Sequence, residues 1–160
     1  MLKILSLREV EQLFAKINLV IKSTAKNDRL YPELLAFLII AKEYYPDHYN
    51  DYIYKGDTPE KLISDLHGMI PESERLSNYA TLEGCLNAAK YDHYNTRTSV
   101  GDSLKRHDTL LKSRDSNEEQ KNYSSDVMDT YKHYTQHGSR INLDSLKQRI
   151  ELSESLKFSS

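Results

Sequence analysis

The sequence predicts an all-α fold, an irregular multi-helix bundle with a polar connection and two C-terminal helices. Apolar residues recur at three- and four-residue steps along most of the chain, which is the spacing of one face of an α-helix. No segment alternates with period two over a convincing length, as a half-buried strand would. Prolines stand near three expected helix starts, at Pro32, Pro46 and Pro59, where their fixed φ suits a first turn.

The first helix is expected from Ser6 to Ser23. Ser6 and Glu9 have the S-x-x-E spacing of a capping box, in which each side chain bonds to the backbone N–H of the other residue. The apolar face of this helix consists of Leu7, Val10, Leu13, Phe14, Ile17, Val20 and Ile21.

The second helix is expected to run from Pro32 to Tyr45. It ends there because Pro46 disfavours the helical conformation of the residue before it. Residues 34–40 make this helix apolar on nearly every side, so we expect other elements to surround it.

Further helices follow in order. Residues 46–56, 58–70 and 71–94 each combine an N-terminal start signal with apolar residues at helical spacing. Residues 96–125 are rich in serine, aspartate, lysine and asparagine, which is typical of a mobile or weakly helical segment, and a helix at 102–113 stays open there. Helices are expected again at 126–137 and 142–156. We therefore expect a helical core domain at 1–95, a polar connection at 96–125, and C-terminal helices at 126–160 that pack back on the core.

Composition limits the classes of function. The formal net charge is −2 with both signs interspersed, so no basic face predicts binding to nucleic acid. The longest apolar run, 34–41, is shorter than the roughly 20 residues of a membrane span, which predicts no membrane insertion. The single cysteine, Cys85, lies in an apolar pattern and is expected to be buried and unreactive. A cytoplasmic location is expected, since one cysteine cannot form an internal disulfide framework.

Candidate chemistry is sparse. The five glycines are not clustered, so no glycine-rich loop can hold phosphates, and no cofactor is expected. Asp129, His133 and His137 follow one another at four-residue steps and would share one helix face, the spacing of weak candidate metal ligands. A metalloprotease helix would carry glutamate after its first histidine, where this chain has Tyr134. A solvated helix face is the preferred interpretation.

The remaining histidines, among them His67 and His107, appear scattered along the chain. No aspartate or glutamate is flanked by a pattern that predicts burial and a raised pKa. No serine lies in a nucleophile elbow. We therefore expect no enzymatic activity from this chain on its own.

Two segments, SLREVEQLFAKINLVIKS and LYPELLAFLIIAKEYYPDHYNDYI, resemble the region that follows the nucleotide-binding core in bacterial KAP-family P-loop NTPases. The resemblance covers roughly the first third of the chain, and INLDSLKQRIELSE is more weakly similar to the helix that closes such proteins. It implies a helical lid that packs against a nucleotide site. By position, Arg8 matches an arginine that such lids offer toward the phosphates.

The P-loop and the Mg²⁺-binding acidic strand of that family are missing from this sequence. The resemblance therefore implies a non-catalytic C-terminal portion, made as a fragment or from a separate gene. Its expected role is regulatory, with Arg8 sensing nucleotide on a protein partner, either a P-loop NTPase core or another copy of this chain. Members of the family act in anti-phage defence, which is the expected setting.

Two alternatives stay open. One is a freestanding α-helical protein–protein adaptor with no connection to nucleotides. The other is a metal-dependent enzyme that uses His133 and His137.

Overall fold

The computed structural model describes residues 6–23, 31–55, 59–71, 77–94, 101–136 and 140–155, without the side chains of residues 77, 91–94 and 101. Within these ranges the chain forms eight helices and no strand, which confirms the all-α prediction. No helix in the described ranges combines the length and the apolar character needed to cross a membrane.

The helices are α1 (Leu7–Lys22), α2 (Pro32–Tyr44), α3 (Pro46–Tyr54), α4 (Glu60–Met69), α5 (Ser77–Tyr94), α6 (Gly101–Lys112), α7 (Glu118–Gln136) and α8 (Leu143–Ser155). Helices α1 to α3 begin where their capping serine or proline predicts. Helix α5 begins at Ser77 and not near Pro71, which is not helical, and residues 72–76 lie outside the described residues.

Contacts divide the chain into two compact units. The first unit comprises residues 1–50 and 144–160, and the second comprises residues 51–143. Helix α3 contributes residues to both. The predicted domains at 1–95, 96–125 and 126–160 stay a prediction.

The first unit is built around α2. Ser6 N donates to Glu9 Oε2 over 2.8 Å and Glu9 N donates to Ser6 Oγ over 3.3 Å, so the predicted capping box starts α1. Six of the thirteen residues of α2 are buried, all within its apolar stretch: Leu34, Leu35, Phe37, Leu38, Ile39 and Ala41. In contrast, Leu7 and Phe14 of α1 are 76% and 62% exposed, so the predicted apolar face is buried only in part.

The second unit is built around α5. Every residue from 82 to 90 is buried, including Cys85 as predicted. Helix α5 packs closely against α7, and α6 also packs against α7. The close approach depends on Gly84, because a Cβ there would lie 2.6 Å from Thr130 Cβ and 2.8 Å from the Val127 carbonyl oxygen.

Much of the segment expected to be a polar connection is helical. Helix α6 occupies 101–112, and α7 begins at Glu118 instead of near residue 126. The early start has a local cause. Gln120 N donates to Asn117 Oδ1 over 2.8 Å and Asn117 N donates to Gln120 Oε1 over 3.3 Å, which is a capping box formed by asparagine and glutamine.

Candidate site: a buried carboxylate cluster beside a cavity

Glu83 is the centre of the candidate site. It lies in the middle of α5, and only 1% of it is exposed, with the apolar residues Leu82, Cys85 and Leu86 buried beside it in sequence. Burying a carboxylate without partners is costly, so its hydrogen bonds decide whether it can be accommodated. Side chains from three other helices supply them.

His107 of α6 is the most deeply buried partner. Its Nε2 lies 2.6 Å from Glu83 Oε1, and its Nδ1 lies 3.0 Å from Ser124 Oγ of α7. Because a carboxylate can only accept, Nε2 carries the proton that His107 donates to Glu83. Helices α5, α6 and α7 are thus joined through one imidazole.

His67 and Tyr123 bind the other carboxylate oxygen. The Tyr123 hydroxyl donates to Glu83 Oε2 over 2.8 Å, and His67 Nε2 lies 3.0 Å from the same oxygen. The two rings also meet edge to face, with centroids 6.2 Å apart. Glu83 therefore accepts three hydrogen bonds, from α4, α6 and α7. We call Glu83, His67, His107 and Tyr123 the carboxylate cluster.

The pKa of Glu83 lies well below its ordinary value. Burial is the largest single influence and raises this pKa, but it is outweighed by several opposing influences. Hydrogen bonds from His107 and His67, electrostatic attraction to His107, and the Tyr123 hydrogen bond together favour the ionised form. Glu83 is consequently a buried negative charge held by proton donors.

One turn further along α5 lies a second buried polar residue. Asn87 Nδ2 donates to the Glu83 carbonyl oxygen over 3.0 Å and approaches Ser103 Oγ of α6 at 3.4 Å. The Asn87 Oδ1 atom is buried without a hydrogen-bond partner. Helices α5 and α6 therefore contact each other through two polar pairs, Glu83 with His107 and Asn87 with Ser103. Apolar side chains are more usual at a buried contact between helices.

The carboxylate cluster forms part of the wall of a cavity of about 470 Å³ in the second unit. Helices α4 to α7 and the short α6–α7 connection supply its lining, which comprises His67, Glu83, Arg106, His107, Leu110, Asn117, Glu119, Gln120, Tyr123 and Ser124. Its volume is within the range of small-molecule sites, about 300–1,000 Å³.

Ser124, His107 and Glu83 form a hydrogen-bonded chain like that of a catalytic triad, in which they would be the nucleophile, the base and the acid that orients the base. The surroundings do not suit acyl transfer, however. Ser124 is only 1% exposed and lies well inside α7, where backbone N–H groups are engaged in the helix and cannot stabilise an oxyanion. The arrangement can instead hold one carboxylate ionised at the wall of the cavity.

The residues singled out from the sequence lie elsewhere. Arg8 is exposed in the first turn of α1. Asp129 and His133 are exposed on α7, and His137 lies outside the described residues. Among the described residues, no three histidine, cysteine, aspartate or glutamate side chains are grouped so that they could hold a metal ion.

The sequence pattern predicts no acidic residue that is buried with a raised pKa. Glu83 is buried, so this prediction is wrong about burial, but its pKa is lowered and not raised. His67 and His107, which appear scattered in the sequence, meet on this carboxylate. One local signal for burial is present, since Glu83 interrupts the apolar run of α5 between Leu82 and Leu86.

Comparisons of this chain with known protein families, with curated proteins and with solved structures found no match.

Proposed function

We propose that this chain is a non-catalytic regulatory module whose second unit, residues 51–143, binds a small polar ligand. The observation that carries the proposal is the carboxylate cluster at the wall of the 470 Å³ cavity. A ligand in this cavity would contact side chains from α4, α6 and α7, so its binding would stabilise their arrangement around α5.

The energetic cost of burying a charged group favours a binding role for the carboxylate cluster over a purely structural one. Replacing a buried ionic group by apolar residues of similar volume is often neutral or stabilising, so such a cluster is a poor way to stabilise a core. Here the cluster borders a cavity that also has an apolar surface at Leu110. A site with a few placed polar groups and apolar walls is typical of ligand pockets.

The test is a thermal unfolding screen against small anions, amines and neutral polar metabolites. Leu110→Trp fills the cavity without changing the carboxylate cluster, and Thr109→Trp places the same side chain on the exposed neighbouring position of α6. We expect at least one ligand to raise the unfolding temperature of wild type and Thr109→Trp but not of Leu110→Trp. Equal responses from both variants, or no response to any ligand, would contradict the proposal.

A second candidate function follows from α1. Leu7 and Phe14 are seven residues apart, so they lie on one helix face, and both are exposed beside the exposed Arg8. Large exposed apolar side chains often mark a protein interface. This surface supports the proposal, derived from the resemblance to KAP-family proteins, that the chain docks as a lid on a P-loop NTPase core and offers Arg8 to its nucleotide. Anti-phage defence would be the setting.

Co-purification from the native cell tests this second function. Recovery of a P-loop ATPase with wild type, lost with Phe14→Ser and retained with Arg8→Ala, would support docking through α1. Arg8→Ala should then alter nucleotide turnover by the partner. Recovery of no ATPase under gentle conditions would remove this candidate and favour a freestanding adaptor or a contact between copies of this chain.

We also propose a cytoplasmic location. Cys85 is buried and forms no disulfide, which is compatible with a reducing compartment.

A further inference from the structure

We infer that the ligand of the second-unit cavity is an anion, a carboxylate or a phosphate group, bound by Arg106 with the side-chain amides of Asn117 and Gln120. The inference rests on the proposed ligand-binding function and identifies the chemical class of the ligand. It follows from which hydrogen-bonding atoms of the lining are already in use.

The one deeply buried negative charge of the lining is not available to a cation. Glu83 is 1% exposed, and its two oxygens already accept from His107, His67 and Tyr123. A cationic ligand would have to displace one of these donors and leave a buried polar group without its partner, which is costly. Glu83 therefore does not favour the binding of ammonium or guanidinium ligands.

The side-chain amides of Asn117 and Gln120 are held by hydrogen bonds to their carbonyl oxygens. Asn117 Oδ1 accepts from the Gln120 backbone N–H, and Gln120 Oε1 accepts from the Asn117 backbone N–H. The capping box fixes the orientation of both amides, and each keeps its NH₂ group as a donor. These two exposed side chains of the lining therefore each offer two N–H donors, while each carbonyl oxygen already accepts one hydrogen bond.

Arg106 supplies the positive charge. One guanidinium nitrogen, Nη2, donates to Glu60 Oε2 over 2.8 Å, and the arginine side chain is 59% exposed. A guanidinium carries five N–H donors in a planar fork, so this single hydrogen bond leaves others for a ligand. The contact with Glu60 orients the group and reduces the entropy lost on binding. Paired N–H donors of this kind match the geometry of carboxylate and phosphate oxygens.

Glu119 is the one exposed acid in the lining, and it opposes an anion. It lies in the first turn of α7, a position where an acidic side chain stabilises the helix. The effect of this acid on affinity therefore distinguishes an anionic ligand from a cationic one. Removing its charge should strengthen the binding of an anion and weaken the binding of a cation.

The experiment is calorimetric titration of the full chain with inorganic phosphate, with acetate and with ethylammonium. The proteins are wild type, Arg106→Gln, Glu119→Gln and, as a control, Arg114→Gln, which removes an exposed arginine outside the lining. We expect phosphate or acetate to bind wild type and the control equally. Arg106→Gln should weaken this binding by about tenfold, the effect of losing a charged hydrogen bond, and Glu119→Gln should strengthen it by about two- to fivefold. Stronger binding of acetate than of phosphate would assign the site to carboxylates, and the reverse to phosphates.

Three results would overturn the inference. If ethylammonium binds and Glu119→Gln weakens that binding, the ligand is a cation. The anion inference then fails, and the proposed binding function stands. Equal anion binding by all four proteins would mean diffuse surface association. If none of the three probes binds and the unfolding screen is also negative, the proposed binding function fails together with the inference.

Discussion

The carboxylate of Glu83 joins four helices of the second unit, since its hydrogen bonds come from His67 of α4, His107 of α6 and Tyr123 of α7. Hydrogen bonds to a charged group contribute about 1.5–3 kcal/mol each, more than neutral ones. At the residue scale, Glu83 is therefore expected to affect stability and binding together.

Replacing Glu83 by Gln is expected to lower the free energy of unfolding near neutral pH by about 1.5–3 kcal/mol, because the amide loses charged hydrogen bonds. The effect should depend on pH. The folded state lowers the pKa of Glu83 from its ordinary value of 4.5, so its ionisation stabilises the fold above that pH and loses this contribution as the pH falls below it. Urea unfolding of wild type and variant at successive pH values measures the difference. A difference that stays constant below pH 4.5 would contradict the assignment of Glu83 as the buried ionised group.

At the scale of elements, the contact between α5 and α7 depends on a missing side chain. Gly84→Ala would place a Cβ against Thr130 Cβ and a backbone oxygen, neither of which is the end of a flexible side chain. We expect it to lower the free energy of unfolding by about 1–3 kcal/mol, as overpacking does. Chemical denaturation measures this change.

Gly68→Ala in α4 is the matched control. A Cβ there meets nothing within 4 Å, so only the helix preference of alanine changes. This variant is expected to be more stable than wild type by about 0.5–1 kcal/mol. If both variants changed stability in the same direction, close packing at Gly84 would not be the cause.

The start of α1 depends on Ser6 and its capping box with Glu9. Ser6→Ala is expected to cost about 1 kcal/mol, since a backbone donor loses its partner. Ser6→Asp should keep nearly all of that stability, because aspartate is also a good N-cap. Amide hydrogen exchange in α1 measures the change, and equal protection in all three proteins would show that the cap contributes nothing there.

The sequence reveals helices better than it reveals the site, for a physical reason. The capping box at Ser6 and the proline starts of α2 and α3 are local signals, and the structure has these helices where they predict. The box between Asn117 and Gln120 is equally local, but the polar composition around it predicts a mobile or weakly helical segment, and so the first turns of α7 are missed.

The carboxylate cluster has no local signature. His67, His107 and Tyr123 lie 16, 24 and 40 positions from Glu83, and only the packing of four helices brings them together. Helical periodicity identifies buried faces but does not say which faces meet. The sequence does show one part of the site, because Glu83 stands within an otherwise apolar run.

At the scale of the whole molecule, the carboxylate cluster and its cavity belong to one compact unit, residues 51–143. That unit is continuous in sequence and has its own buried residues around α5. The first unit, in contrast, is formed by two segments that are separate in sequence, residues 1–50 and 144–160.

We therefore expect a protein of residues 51–143 to fold alone as a helical domain. Circular dichroism should show cooperative unfolding, because the residues that surround α5 within the unit are all retained. A non-cooperative transition would mean that the first unit is required for this fold.

The most direct test of the central claim, that the cavity beside Glu83 is a small-molecule anion site, is a nuclear magnetic resonance titration of the full chain with inorganic phosphate and acetate. We expect saturable shifts at the side chains of Arg106, Asn117 and Gln120 and at the His67 ring, all abolished in Leu110→Trp and kept in Thr109→Trp. Saturable shifts centred outside this lining, or shifts that persist when the cavity is filled, would contradict it.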